Sequence, residues 1–139
     1  MAVEINIVYE GELRCRAQHG PSGVVLKTDA PVDNQGKGES FSPTDLVATA
    51  LGCCMMTIMG ILARRHGYPI EGTAVKVLKE MVQEPVRRIG QLTVEIHVAN
   101  SDRLKETDRK ILQQAVHTCP VLKSLHPDIQ VPVAFHWID

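Results

Sequence analysis

Two thiols stand out in this chain: Cys54, inside a long uncharged run, and Cys119, in the tripeptide Thr118-Cys119-Pro120. A thiol is a nucleophile only as its thiolate, so its surroundings decide whether it reacts or merely packs. Pro120 suits the first position of a helix, which places Cys119 where unpaired backbone N–H groups favour a thiolate. Local physics makes Cys119 the more acidic of the two. Cys54 lies about three turns beyond the helix start at Ser42, out of reach of the dipole, and needs a cation from elsewhere. Arg14 and Arg16 share one face of a strand by alternation and are the candidates, whereas Arg64 and Arg65 suit the solvated end of the helix. An always-charged guanidinium can hydrogen-bond a thiolate and a peroxide oxygen at once, so the chemistry suggested is that of a peroxide-reactive thiol pair. Cys53 points about 100° away from Cys54 around the helix and, with Cys15, reads as a packing residue. His117 and His126 flank Cys119, but their spacing matches no closed four-ligand zinc pattern, so no metal is expected.

The elements that must hold these groups follow from periodicity and turn chemistry. Val3, Ile5, Ile7 and Tyr9 alternate, Glu10-Gly11-Glu12 can turn, and Leu13, Cys15 and Ala17 resume the alternation, predicting a hairpin. A short strand at Val24 to Leu26 leads into a loop over residues 29–42 that includes Glu39, long enough to suggest function. Ser42-Pro43-Thr44-Asp45 supplies an N-cap hydroxyl, Pro at the first helical position and an acid in the first turn; Gly67 and Pro69 mark a stop. A helix over residues 43–66 follows. From Leu46 to Ala63 it holds 18 consecutive uncharged residues, apolar on every face. Such a helix must be enclosed. A membrane span is the competing reading, but Gly52, Gly60 and several Ala and Thr residues dilute its apolarity. One sheet covers only one side, so a second copy of the chain is expected to complete the enclosure. Strands over residues 73–82 and 89–100, a second amphipathic helix at about 102–117 capped by Ser101-Asp102, a short turn from Cys119, and a last strand through Val131, Val133, Phe135 and Trp137 complete an α+β pattern of antiparallel sheets.

At 139 residues the chain fits a single domain, 1–139, burying roughly two-thirds of its unfolded surface. Its 15 basic and 16 acidic residues are scattered and the net charge is −1, so no nucleic-acid or anionic-membrane footprint is present. The N-terminus has no signal-peptide pattern, and a cytoplasmic location with reduced thiols is expected.

The segment Ser42-Pro43-Thr44-Asp45-Leu46-Val47-Ala48-Thr49-Ala50-Leu51-Gly52-Cys53-Cys54, with His117-Thr118-Cys119-Pro120 and the opening Tyr9-Glu10-Gly11-Glu12-Leu13, resembles the OsmC/Ohr family of thiol-dependent hydroperoxide reductases. The resemblance implies an intertwined homodimer with two central helices packed under sheets. It implies that Cys54 is the peroxidatic thiol and Cys119 the resolving one, forming a disulfide that a dithiol, typically a lipoylated protein, reduces; no bound cofactor is required. Leu51, Met55 and Ile58, with the partner subunit, are expected to line an apolar pocket for an organic hydroperoxide, and Thr44, Asp45 and Glu39 to lie at its rim. Two departures mark a divergent branch. Thr44 stands where the peroxidase branches carry the glutamate that orients the catalytic arginine, and Cys15 occupies the arginine's own slot, with Arg14 and Arg16 on either side. The competing function is a dimeric apolar-ligand-binding or redox-sensing module without efficient turnover.

Overall fold

A computed structural model describes residues 1–138. The chain falls into two compact units, residues 1–47 and 48–139.

The first unit is an antiparallel sheet of β1 (Ile5–Gly11), β2 (Arg14–His19) and β3 (Val25–Asp29), in that order. The hairpin turns one residue later than the sequence suggests. Glu12 and Leu13 both take positive φ, 56° and 61°, the two-residue geometry whose twist matches that of the flanking strands. The register slips between Tyr9 and Gly11, so Tyr9 faces Cys15 while Gly11 faces Arg14. Ile5, Ile7 and Tyr9 share one face and are 58, 65 and 64% exposed, an apolar face that this unit leaves open.

Residues 43–47 of the long helix α1 (Pro43–His66) belong to this first unit, and the rest of α1 to the second. Its bounds match the expectation. The Ser42 hydroxyl accepts the Asp45 N–H at 3.1 Å and the Asp45 carboxylate accepts the Ser42 N–H at 2.9 Å, a reciprocal cap that satisfies two otherwise unpaired donors. Gly67, at φ 76°, ends the helix with its N–H on the Ala63 carbonyl at 2.7 Å.

The second unit places α1 against a sheet ordered β4 (Ala74–Val82), β5 (Arg88–His97), β6 (Val133–His136). β4 and β5 form the expected antiparallel hairpin, and Leu92, Val94, Ile96 and Val98 are buried as their alternation requires. β6 runs parallel to β5, which makes this sheet mixed rather than antiparallel. The reason is the connection: two helices intervene between β5 and β6, and such a crossover returns the chain in the same direction. The second helix is also shorter than expected. Residues Ser101–Arg103 form a separate 3-10 turn, Leu104 is extended, and α2 spans Glu106–Ala115, capped through Lys105 and Asp108; a 3-10 turn at Val116–Thr118 leads to α3 (Pro120–Ser124). Ser101 is therefore not the cap of α2. It is buried and bonds the backbone of Ile138 instead.

α1 buries one stripe, Ala48, Leu51, Gly52, Met55, Met59 and Ala63, while Ala50, Cys53, Thr57 and Ile61 stay exposed. An 18-residue window with mean hydropathy 2.1 also makes α1 long and apolar enough to cross a membrane. Leu51, Met55 and Met59 are nevertheless fully withdrawn into the protein core. Gly52 sets how closely helix and sheet approach, since a Cβ there would lie 3.1 Å from Val77 Cγ2 and 3.5 Å from Val75 Cγ1. Replacing Gly52 by Leu is expected to destabilise the protein by about 1–3 kcal/mol through overpacking, read as a lower denaturant midpoint at unchanged slope.

Candidate active site

The second unit brings together the two cysteines singled out in the sequence. Cys54 sits half-buried on α1, one residue before the buried Met55. Cys119 is fully buried and caps α3, its sulfur accepting the Leu122 N–H at 3.5 Å. Pro120 occupies the first helical turn as expected. The backbone grips Cys119 on both sides, through Cys119 N–H to the Val116 carbonyl at 3.4 Å and Lys123 N–H to the Cys119 carbonyl at 3.1 Å. All four cysteines are free thiols, and Cys54 lies close enough to Cys119 for its side chain to act on the Cys119 thiol.

Burial pushes the Cys119 thiol up from its ordinary value, and the neighbouring Cys54 side chain adds to the effect; the Leu122 N–H opposes both and is outweighed. This overturns the expectation that Cys119 is the more acidic cysteine. A five-residue helix offers little dipole, and removal of the sulfur from water penalises the charged form by more than the cap recovers. Cys119 therefore keeps its proton beside Cys54. Cys53 is exposed on another face of α1, as its angular offset requires. No group of three or more His, Cys, Asp and Glu residues is placed to hold a metal ion among the described residues.

Leu51 and Met55, expected to line a pocket, are completely buried and offer no accessible wall; only Ile58 is half-buried. An open cavity of about 620 Å³ lies toward the C-terminal end of α1, lined by Met56, Gly60, Ala63, Tyr68 and Ile70 among others, and neither Cys54 nor Cys119 borders it. Tyr68 there donates its hydroxyl to Asp108 at 3.1 Å.

In the first unit, Arg14 Nη2 contacts Asp29 Oδ2 at 3.3 Å and Glu39 Oε1 at 2.9 Å. Asp29 faces Arg14 directly in the β2–β3 register, is buried, and accepts the Glu39 N–H at 3.0 Å. That N–H, and then the Arg14 charge, hold the Asp29 carboxyl below the usual carboxylate range against the opposing cost of burial. Asp29 in turn is the main cause that raises the Arg14 guanidinium further. Sequence reasoning missed Asp29, although an acid placed across a strand pair from an arginine was the available signal. Glu39 ion-pairs with Arg14, and Asp45 spends one carboxylate oxygen on the cap of α1, so neither is a bare rim acid; the Thr44 hydroxyl lies 3.2 Å from that of Ser42.

The chain thus places a half-buried thiol on its long helix near a buried, protonated thiol at a second helix start. The family model for OsmC-like protein matches residues 36–134. The chain is 46% identical, with TM-score 0.89, to a crystal structure described as an osmotic stress induced and detoxification response protein from Psychrobacter arcticus 273-4; the match covers 95% of this chain and 94% of that one. The fold is shared at 14% identity with an organic hydroperoxide resistance protein OsmC from Legionella pneumophila, at TM-score 0.75 over 97 and 96% of the two chains. It is shared at the same identity with the organic hydroperoxide resistance protein OhrB of Bacillus subtilis, at TM-score 0.69 over 98% of each. No curated protein matches. The chain belongs to the OsmC family.

The sign of the Asp29 shift fixes a pH dependence. A carboxyl whose folded value is depressed contributes stability that is present above its ordinary range and lost as pH falls through the folded value. Asp29→Asn is therefore expected to be less stable than wild type at pH 7, and to lose less stability than wild type between pH 5 and about pH 2, in urea titrations at each pH. Parallel acid limbs for the two proteins would contradict this.

Proposed function

We propose that this protein reduces hydroperoxides with Cys54 as the attacking thiol and Cys119 as the resolving one. The observation that carries the reading is the nearness of a half-buried Cys54 to a fully buried Cys119 whose thiol is pushed up by burial and then by Cys54. In the first step the Cys54 thiolate attacks one oxygen of ROOH, the O–O bond breaks, and RO⁻ leaves and takes up a proton as ROH. Cys54 is oxidised to the sulfenic acid and the peroxide is reduced to the alcohol. The Cys119 sulfur then attacks the sulfenic sulfur, its proton leaves with the hydroxyl as water, and a Cys54–Cys119 disulfide forms. A dithiol, a lipoylated protein by family resemblance, reduces that disulfide and is itself oxidised to a disulfide. An organic peroxide agrees with what the Legionella and Bacillus proteins are named for.

A second copy of the chain completes the molecule in this reading. Support comes from two uncovered apolar surfaces, the Ile5, Ile7 and Tyr9 face of the first sheet and the Ala50, Cys53, Thr57 and Ile61 stripe of α1. Sedimentation at micromolar concentration is expected to give twice the 15.3 kDa chain mass, and a single-chain mass would refute the homodimer. A cytoplasmic setting supplies the reduced thiols that the cycle starts from.

The activity has a direct test. Thiol-dependent consumption of an alkyl hydroperoxide is expected to vanish with Cys54→Ser. With Cys119→Ser, one turnover should leave a Cys54 sulfenic acid that a dimedone-type probe captures, whereas wild type treated with one equivalent of peroxide should lose two hydrogens and yield a Cys54–Cys119 linked peptide. Full turnover by Cys54→Ser ends the proposal.

A further inference from the structure

Exposure separates the two sulfurs of the proposed cycle. Cys119 is 0% exposed, as are Leu112 and Val116 ahead of it in the chain, whereas Cys54 is half-buried. Cys119 is held in place by its N–H on the Val116 carbonyl at 3.4 Å, its carbonyl accepting the Lys123 N–H at 3.1 Å, and its sulfur accepting the Leu122 N–H at 3.5 Å. Turning the sulfur outward undoes the cap of α3. Cys54 stands on α1 between the exposed Cys53 and the buried Met55, so a packed helix presents it at the boundary of the core. Thiol–disulfide exchange needs the incoming thiolate in line with the S–S bond, behind the sulfur it attacks, so access selects which sulfur reacts. Once Cys54 and Cys119 are joined, only the Cys54 sulfur offers such an approach. Burial raises the Cys119 thiol and slows its departure, but the Leu122 N–H sits on the sulfur that must take up the electron pair. A slow departure lowers a rate, whereas a covered sulfur cannot be approached at all.

We infer that the reducing thiol enters only at the Cys54 sulfur, and that the buried Cys119 thiol left beside the resulting mixed disulfide is the residue that restricts the reductant to dithiols. The inference rests on the hydroperoxide-reductase reading above and concerns its reductive half. In the first exchange a thiolate RS⁻ attacks the Cys54 sulfur and the bond to Cys119 breaks. A mixed disulfide between Cys54 and the reductant forms, and Cys119 leaves with the electron pair and takes up the proton that RSH gave up. With a monothiol, Cys119 returns to the Cys54 sulfur, expels RS⁻ and restores the starting disulfide. A thiol held this near acts at an effective concentration of at least about 1 mM, the value for a short flexible tether, and at more when oriented. A second monothiol must compete with it from solution. With a dithiol, the second thiol of the same molecule attacks the reductant's own sulfur in the mixed disulfide, closes a cyclic disulfide and releases Cys54 as the thiolate. Two thiols of the reductant are then oxidised, Cys54 and Cys119 are both reduced, and Cys54 emerges in the form that attacks the next peroxide.

Two measurements test this. Peroxide-oxidised wild type is mixed with the monothiol 2-mercaptoethanol, quenched in acid within seconds and mapped by peptide mass; the adduct is expected on Cys54 and not on Cys119. Turnover of an alkyl hydroperoxide is then compared with dithiothreitol and with 2-mercaptoethanol, at equal total thiol, in wild type, Cys119→Ser and Cys119→Ala. Wild type is expected to prefer the dithiol by at least about 100-fold, and both variants to bring the two reductants within about 10-fold of each other, because no internal thiol remains to expel the monothiol. The mass measurement uses wild type alone and decides the point of entry even if neither variant folds. An adduct on Cys119, a wild type that uses both reductants equally, or a preference unchanged in the Cys119 variants overturns this inference; the peroxidase reading stands in each case where peroxide yields the Cys54–Cys119 disulfide. A wild type that consumes no peroxide and forms no such disulfide overturns both.

Discussion

The Cys119 sulfur has been taken out of water, and much of the site's logic follows from that. A thiol in this position cannot easily carry charge, so it keeps its proton beside the neighbouring Cys54. Chemically alike residues thereby become unlike. One is half-accessible, and the other is shielded and protonated. The backbone bonds of Val116 and Lys123 to Cys119, and the Leu122 N–H on its sulfur, hold that order in place.

That nearness exists because α1 is anchored at both ends and packed in the middle. Ser42 and Asp45 cap its start, Gly67 ends it, and Gly52 lets it settle onto β4 at the distance that Val75 and Val77 allow. Cys54 rides on the same stretch, one turn from Leu51 and next to Met55, both locked in the core. A nucleophile built on a packed helix is positioned more sharply than one on a loop. The opposite side of α1 and the apolar face of the N-terminal sheet stay uncovered, two surfaces of the kind that association buries.

In the first unit Arg14 is held by different means. Its acidic partners come from a strand partner, Asp29, and from the loop that follows it, Glu39. Asp45 is committed to capping, and the β2–β3 register places Arg14, directly after the turn, opposite a buried carboxylate.

Much of this was legible in the residues alone. The α1 limits, the β4–β5 hairpin with its buried Leu92, Val94, Ile96 and Val98, and the place of Cys119 before a proline-led turn are local consequences of period, caps and turn residues, which depend on neighbours within a few positions. The end of the Glu12-Leu13 turn, the break at Leu104 and the parallel direction of β6 were not, because each depends on how distant segments dock. The same division runs through the site. Sequence by itself determined which sulfurs and which arginines were present and on what elements they would stand. Only tertiary structure decided that Cys54 and Cys119 lie near one another, that burial rather than the helix start controls the Cys119 proton, and that Asp29 meets Arg14, since desolvation and cross-strand pairing are properties of groups brought together from far apart in the chain.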